Sequence, residues 1–164
     1  MSIAVVYGST TGATAEAAAA IAEKLGADCL NVAEVSADQL AGYNALVLGS
    51  STWGAGDLQD DWATFLPNLQ GMNLSGKKVA VFGCGDHEGF ADTFGLALVT
   101  LRDAAAAAGA TVVGECEVEG YDGICSDVAS GGKFVGLAID SQNQPELTDS
   151  RIAAWCALIA PALA

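Results

Sequence analysis

Four hydroxyls fall within one short stretch, Gly8-Ser9-Thr10-Thr11-Gly12-Ala13-Thr14. An apolar run, Ile3 to Tyr7, leads into it, and a segment of helical composition follows. Hydroxyls beside the open amides of a helix N-terminus, which carries about half a positive charge, make a phosphate cradle. A nucleoside triphosphatase loop would add a lysine directly before Ser/Thr. Ala13 stands there, so the stretch suits one terminal phosphate monoester held by neutral donors. The same residues also read as a hydroxyl-rich helix cap.

Two further loops carry aromatics. Ser50-Ser51-Thr52-Trp53-Gly54-Ala55-Gly56-Asp57 sets a tryptophan between small residues, where it either faces a ligand or packs a corner onto a helix. Gly83-Cys84-Gly85-Asp86-His87-Glu88-Gly89-Phe90 places a second aromatic. Two aromatics facing across a cleft can stack on a planar ligand. The Gly-x-Gly here is a weak dinucleotide signal, because Glu88 stands where a third glycine belongs. Trp62 and Trp155 sit at helical spacing and read as packing residues. His87 is the only histidine and reads as solvent-facing, which leaves no Ser-His-Asp triad.

Charge narrows the classes further. Twenty acidic residues against six basic ones give a net charge of −14. Phosphate backbones and anionic membranes want the opposite sign, so nucleic acid and membrane surfaces are excluded as partners. No basic residue lies between Lys24 and Lys77, while Asp57, Asp60, Asp61, Asp86, Glu88 and Asp92 crowd the two aromatic loops. This is a solvated acidic face or a docking surface for a basic partner. Five cysteines without a C-x-x-C pair argue against disulfides, zinc ribbons and iron–sulfur clusters, and suit reduced thiols that are mostly buried. No signal peptide or bilayer-length apolar run is read, and the expected location is cytoplasmic.

The elements that must hold these loops follow from periodicity. Apolar runs at Ile3–Tyr7, Ala45–Leu48 and Lys77–Phe82 read as strands buried on both faces, each followed by glycine. Cys29–Val32 is a weaker strand, and Thr111–Val118 alternates like one. Thr14–Leu25, Asp60–Leu69, Phe94–Ala108 and Leu147–Ile159 read as helices, the last capped by Thr148 or Asp149. Alternating strands and helices mean α/β with right-handed crossovers. Within 164 residues this matches a single domain around a five-stranded parallel sheet of order 2-1-3-4-5 with helices on both faces, better than a six-stranded dinucleotide fold. Ligands bind beyond the carboxyl ends of such strands, where the three loops lie. Glycine-rich residues from about 119 to 134 break the repeat and read as an insertion that splits or extends the last strand, before Phe134–Ile139 resumes it.

Together the three loops resemble those of flavodoxin. The resemblance rests on Gly8-Ser9-Thr10-Thr11-Gly12-Ala13-Thr14, Thr52-Trp53-Gly54-Ala55-Gly56-Asp57-Leu58-Gln59-Asp60-Asp61-Trp62 and Phe82-Gly83-Cys84-Gly85-Asp86. The late stretches Gly132 to Asp140 and Leu147 to Ile152 are similar to the tail of the long-chain subgroup. The resemblance implies a three-layer flavodoxin-like fold, the insertion being the long-chain loop. It implies a low-potential, one-electron FMN carrier, not a substrate-turning enzyme, cycling between semiquinone and hydroquinone.

Its implied cofactor residues are Ser9, Thr10, Thr11, Gly12, Ala13 and Thr14 around the phosphate, Ser51, Thr52, Trp53, Gly54, Ala55 and Gly56 along one flavin face, and Cys84, Gly85, Asp86 and Phe90 on the other. Phe90 departs from the usual tyrosine: the ring remains and the phenol is lost. Ala13 departs from relatives with lysine there. The Gly54–Ala55 peptide is implied to turn toward flavin N5 on reduction. Implied partners are redox proteins with basic docking surfaces, approached by a monomer. A flavodoxin-like NAD(P)H:quinone reductase is disfavoured by the acidic cleft. A signalling receiver domain lacks its acidic pair, Gly8-Ser9 standing there. A fold-only binding module is disfavoured by Trp53 together with the first loop.

Overall fold

The computed structural model describes residues 2–8, 12–50, 52–53, 57–58, 60–84, 96–117, 129–130, 133–134, 136–139 and 145–163. In chain order these form β1 (Ile3–Gly8), α1 (Ala13–Leu25), β2 (Asp28–Asn31), a 3-10 turn (Val32–Glu34), α2 (Ala37–Ala41), β3 (Ala45–Ser50), β4 (Thr52–Trp53), β5 (Asp57–Leu58) and α3 (Asp60–Gln70). There follow β6 (Lys78–Cys84), α4 (Leu96–Ala107), β7 (Thr111–Val112), β8 (Cys116–Glu117), β9 (Ala129–Ser130), β10 (Lys133–Phe134), β11 (Leu137–Ile139) and α5 (Pro145–Leu163).

The central sheet runs β2-β1-β3-β6, with β7 and β11 both on the outer edge of β6, and every pairing is parallel. This is the expected order 2-1-3-4-5, the fifth position being filled by two segments. Side chains alternate between the faces with the strand period of two. Val6, Leu46, Leu48, Val79 and Val81 pack under α3 and α4, whereas Val5, Val47, Ala80 and Phe82 pack under α1 and α5. The purely apolar runs are thus strands covered on both faces.

The fifth strand departs from the expected Thr111–Val118. Pairing with β6 stops after Val112, the Val113 amide still donates to the Val79 carbonyl, and Gly114 then turns out of the sheet at φ +95. Only glycine takes that conformation readily. The Gly114 carbonyl accepts a 2.8 Å hydrogen bond from the buried Trp155 indole. Cys116–Glu117 instead joins β10 and β9 in a small antiparallel sheet. The expected strand Phe134–Ile139 is likewise split, and Gly136 marks the return to β6, lying so close to Val81 that a Cβ would stand 2.0 Å from its carbonyl oxygen.

Other differences are local. Helix α2 was not expected; Ser36 caps it by accepting from the Gln39 amide. Helix α5 begins at Pro145, which suits a first turn, so Thr148 and Asp149 lie inside the helix and do not cap it. Trp62 and Trp155 are buried as expected. Among the described cysteine side chains, Cys84 and Cys156 are buried and Cys29 is exposed on the edge strand. Burial raises the Cys156 thiol above its ordinary pKa, with Lys24 pulling weakly the other way. Among the described residues no helix is long and apolar enough to cross a membrane.

Candidate cofactor site

The three loops leave neighbouring strands at one end of the sheet. Gly8 is in register with Ser50, Gly49 with Phe82, and Cys84 with Ile139. Adjacent strands lie about 4.8 Å apart, so the exits of β1, β3 and β6 span only about 10 Å. The chain passes from β1 to β2 on one side and has β3 on the other. That is a topological switch point, where open α/β sheets bind ligands.

Ser9, Thr10 and Thr11 lie outside the described residues. Gly12 is the N-cap of α1, in the left-handed region at φ 95 and ψ −14, and no side chain caps the helix. A glycine cap adds no side chain, and so no carboxylate, to the front of the first turn. Ala13 is half-buried and Thr14 fully buried in that turn. Glu16 is the one acid there, and it is exposed. Water screens such a charge to about 1 kcal/mol even at 4 Å, too little to cancel a helix N-terminus joined by several donors.

The second loop is more ordered than the sequence suggested. Thr52 pairs with Leu58 and Trp53 with Asp57, making an antiparallel hairpin. Gly54, Ala55 and Gly56, outside the described residues, are its three-residue connection. A glycine-bearing three-residue link between Thr-Trp and Asp-Leu was the available signal. Ser50 is fully buried at the hairpin's entry; Ser51 lies outside the described residues. Helix α3 starts two residues after the hairpin with Asp60 and Asp61, which complement the positive end of its dipole.

Trp62 does more than pack. Its indole N–H donates to the Gly49 carbonyl at 2.5 Å, tying α3 to the end of β3. Cys84 ends β6 with its side chain in the core beneath α1 and α5. Gly85, Asp86 and Phe90 lie outside the described residues, as does His87. The structure therefore brings Gly12, Ala13, Thr14, Thr52, Trp53 and Cys84 to one sheet end. It also shows there a small cavity of about 100 Å³ between α1 and α5, lined in part by Ala13, Cys84, Ile139 and Thr148. The buried Thr148 hydroxyl beside it has no hydrogen-bond partner among the described residues, a feature periodicity could not reveal. Among the described residues no group of His, Cys, Asp or Glu could hold a metal ion.

The profile of the flavodoxin family matches residues 5–155. This chain belongs to the flavodoxin family. It is 42% identical to a Picosynechococcus flavodoxin across 98% of this chain and 96% of that one. It is 44% identical to flavodoxin 1 of Salmonella typhimurium across 92% and 88%. The fold superposes on the flavodoxin of Fusobacterium nucleatum bound to flavin mononucleotide, with TM-score 0.92, 28% identity and 99% of each chain covered. Flavodoxins are electron-transfer flavoproteins and do not turn over a substrate.

Flavin mononucleotide also passes a test on this chain's own geometry. Its phosphate monoester suits a glycine-capped helix N-terminus preceded in sequence by hydroxyls. Its planar ring suits an aromatic carried on a hairpin at the next strand end.

Proposed function

We propose that this chain is a low-potential one-electron carrier that binds FMN and passes electrons between redox protein partners. The observation that carries the reading is that the glycine-capped helix α1 follows β1 and the Trp53-bearing hairpin follows the adjacent β3, both at the carboxyl end of the sheet and at the switch point. FMN, when bound, supplies the electron chemistry.

The chain's residues bind and tune it. Ser9, Thr10, Thr11 and the amides from Gly12 to Thr14 hold the phosphate. Ser51 to Gly56, with Trp53 foremost, cover one ring face, and Cys84 to Asp86 with Phe90 cover the other. The Gly54–Ala55 peptide offers a carbonyl acceptor at the hairpin tip, and glycine makes its reorientation cheap. The acids around Asp57, Asp61 and Asp86 disfavour extra negative charge and keep the more reduced step at low potential.

The same acids fit partners with basic docking faces, met by a monomer. The reduced-thiol pattern fits a cytoplasmic setting. We read the excursion of about 119–134 as the long-chain insertion of a single domain, leaving the sheet after β7 and returning at β11.

The phosphate cradle gives a direct test. Charge-assisted hydrogen bonds contribute about 1.5–3 kcal/mol each, so FMN is expected to bind at least about 100-fold more tightly than riboflavin. Fluorescence titration of the apoprotein with both measures this. Equal affinities remove the first loop from the site.

A further inference from the structure

We propose that Trp62 is the positioning residue that fixes the base of the β4–β5 hairpin on the end of the sheet. The inference rests on the reading above in that it takes the tip to contact the flavin.

The geometry starts from a loop that must return to its origin. The chain leaves β3 at Ser50, makes the hairpin and enters α3 at Asp60. Two hairpin pairs, Thr52 with Leu58 and Trp53 with Asp57, zip its arms together, but they do not attach the hairpin to the sheet. An isolated two-stranded hairpin is marginal in water. Both arms lie against α4, and the base of the hairpin is tied to the sheet through Trp62, which is fully buried in the first turn of α3. Its indole N–H reaches back thirteen residues to the Gly49 carbonyl. Donor and acceptor thereby close the whole excursion at its base.

Both partners are themselves held. Gly49 lies in register between Tyr7 of β1 and Phe82 of β6. The Phe82 ring covers it, with Cζ only 2.1 Å from where a Cβ would stand. Trp62 is braced by an edge-to-face contact with Phe65, ring centroids 5.8 Å apart at 85°. A buried donor in a rigid socket, bonded to a fixed acceptor, sets where α3 begins and hence where the second hairpin arm ends. Leu69, fully buried in the same core two turns further along α3, is not the donor, so it separates packing from positioning.

The test compares Trp62→Phe with Leu69→Ala. Site-specific replacement of Trp62 by its benzothiophene analogue, which has the same shape and sulfur in place of N–H, carries the same expectation should Trp62→Phe fail to fold. Amide hydrogen exchange of the apoprotein is followed on the peptide spanning Thr52 to Leu58, and FMN affinity and the two one-electron potentials are measured on the loaded protein.

Losing the Trp62 donor is expected to speed exchange in that peptide about tenfold beyond any global change, to weaken FMN about tenfold and to shift the potentials. Leu69→Ala is expected to change global stability alone. Faster hairpin exchange with unchanged FMN affinity keeps Trp62 as the anchor and overturns the reading of the tip. Hairpin exchange no faster than in Leu69→Ala overturns the proposal.

Discussion

Gly83→Ala is expected to cost this protein about 3 kcal/mol or more of folding stability, at the upper end of what overpacking a core incurs. A Cβ on Gly83 would stand 2.0 Å from the Ser50 carbonyl oxygen and 2.9 Å from a Leu98 methyl. The first obstacle is backbone, so no rotamer change relieves it. Strands β3 and β6 must part at their carboxyl ends, where the second and third loops leave the sheet. FMN affinity is therefore expected to fall with stability.

Gly12→Ala is the informative contrast. Among the described residues nothing lies within 4 Å of a Cβ there, so what opposes it is the left-handed conformation at φ 95. That costs about 1–2 kcal/mol. Urea denaturation of both apoproteins measures the difference, and a loss below about 1 kcal/mol for Gly83→Ala contradicts the close approach.

Replacing Asp57, Asp61 and Asp86 together by asparagine is expected to raise the second one-electron potential by on the order of 100 mV. One carboxylate at about 10 Å, with an effective dielectric near 20, opposes an added negative charge by roughly 1.7 kcal/mol. For a one-electron step that is roughly 70 mV. Three such charges sum to roughly 200 mV before screening, and salt removes part of it. The sign is fixed: fewer negative neighbours make the electron easier to accept.

Asp38→Asn is the control. Asp38 is exposed on α2, which precedes the amino end of β3 and so lies away from the site. An unmoved second potential in the triple variant would assign the low potential to ring stacking and water exclusion. The same variant is expected to dock more weakly on basic partners, with a smaller salt dependence.

Much of this arrangement is legible in the residues. Val5, Val47 and Ala80 on one face, and Val6, Leu48 and Val81 on the other, make runs without polar interruption, which only a doubly covered strand accommodates. Glycines after each run mark the loop ends, and the switch-point rule places the candidate site there. The gaps have physical reasons. Helix α2 is one short turn, too brief for a periodic signal, although Ser36 and Gln39 have the spacing of a capping box.

Alternation continues through Thr111–Val118, so the sequence pattern does not reveal that Gly114 adopts positive φ and ends the pairing. The hairpin around Gly54-Ala55-Gly56 has arms of two residues, below any strand threshold. Trp62 read as core, and it is core. Its donor role depends on where the Gly49 carbonyl lies, a long-range fact that no local pattern contains.

Stepwise reduction of the FMN-reconstituted protein, followed by visible absorption, tests the central claim most directly. A one-electron carrier is expected to accumulate half-reduced flavin, with its long-wavelength blue absorption, midway through the titration. Direct passage from oxidised to fully reduced flavin would contradict one-electron carriage and favour two-electron reductase chemistry. Failure to take up FMN at all would contradict the site itself.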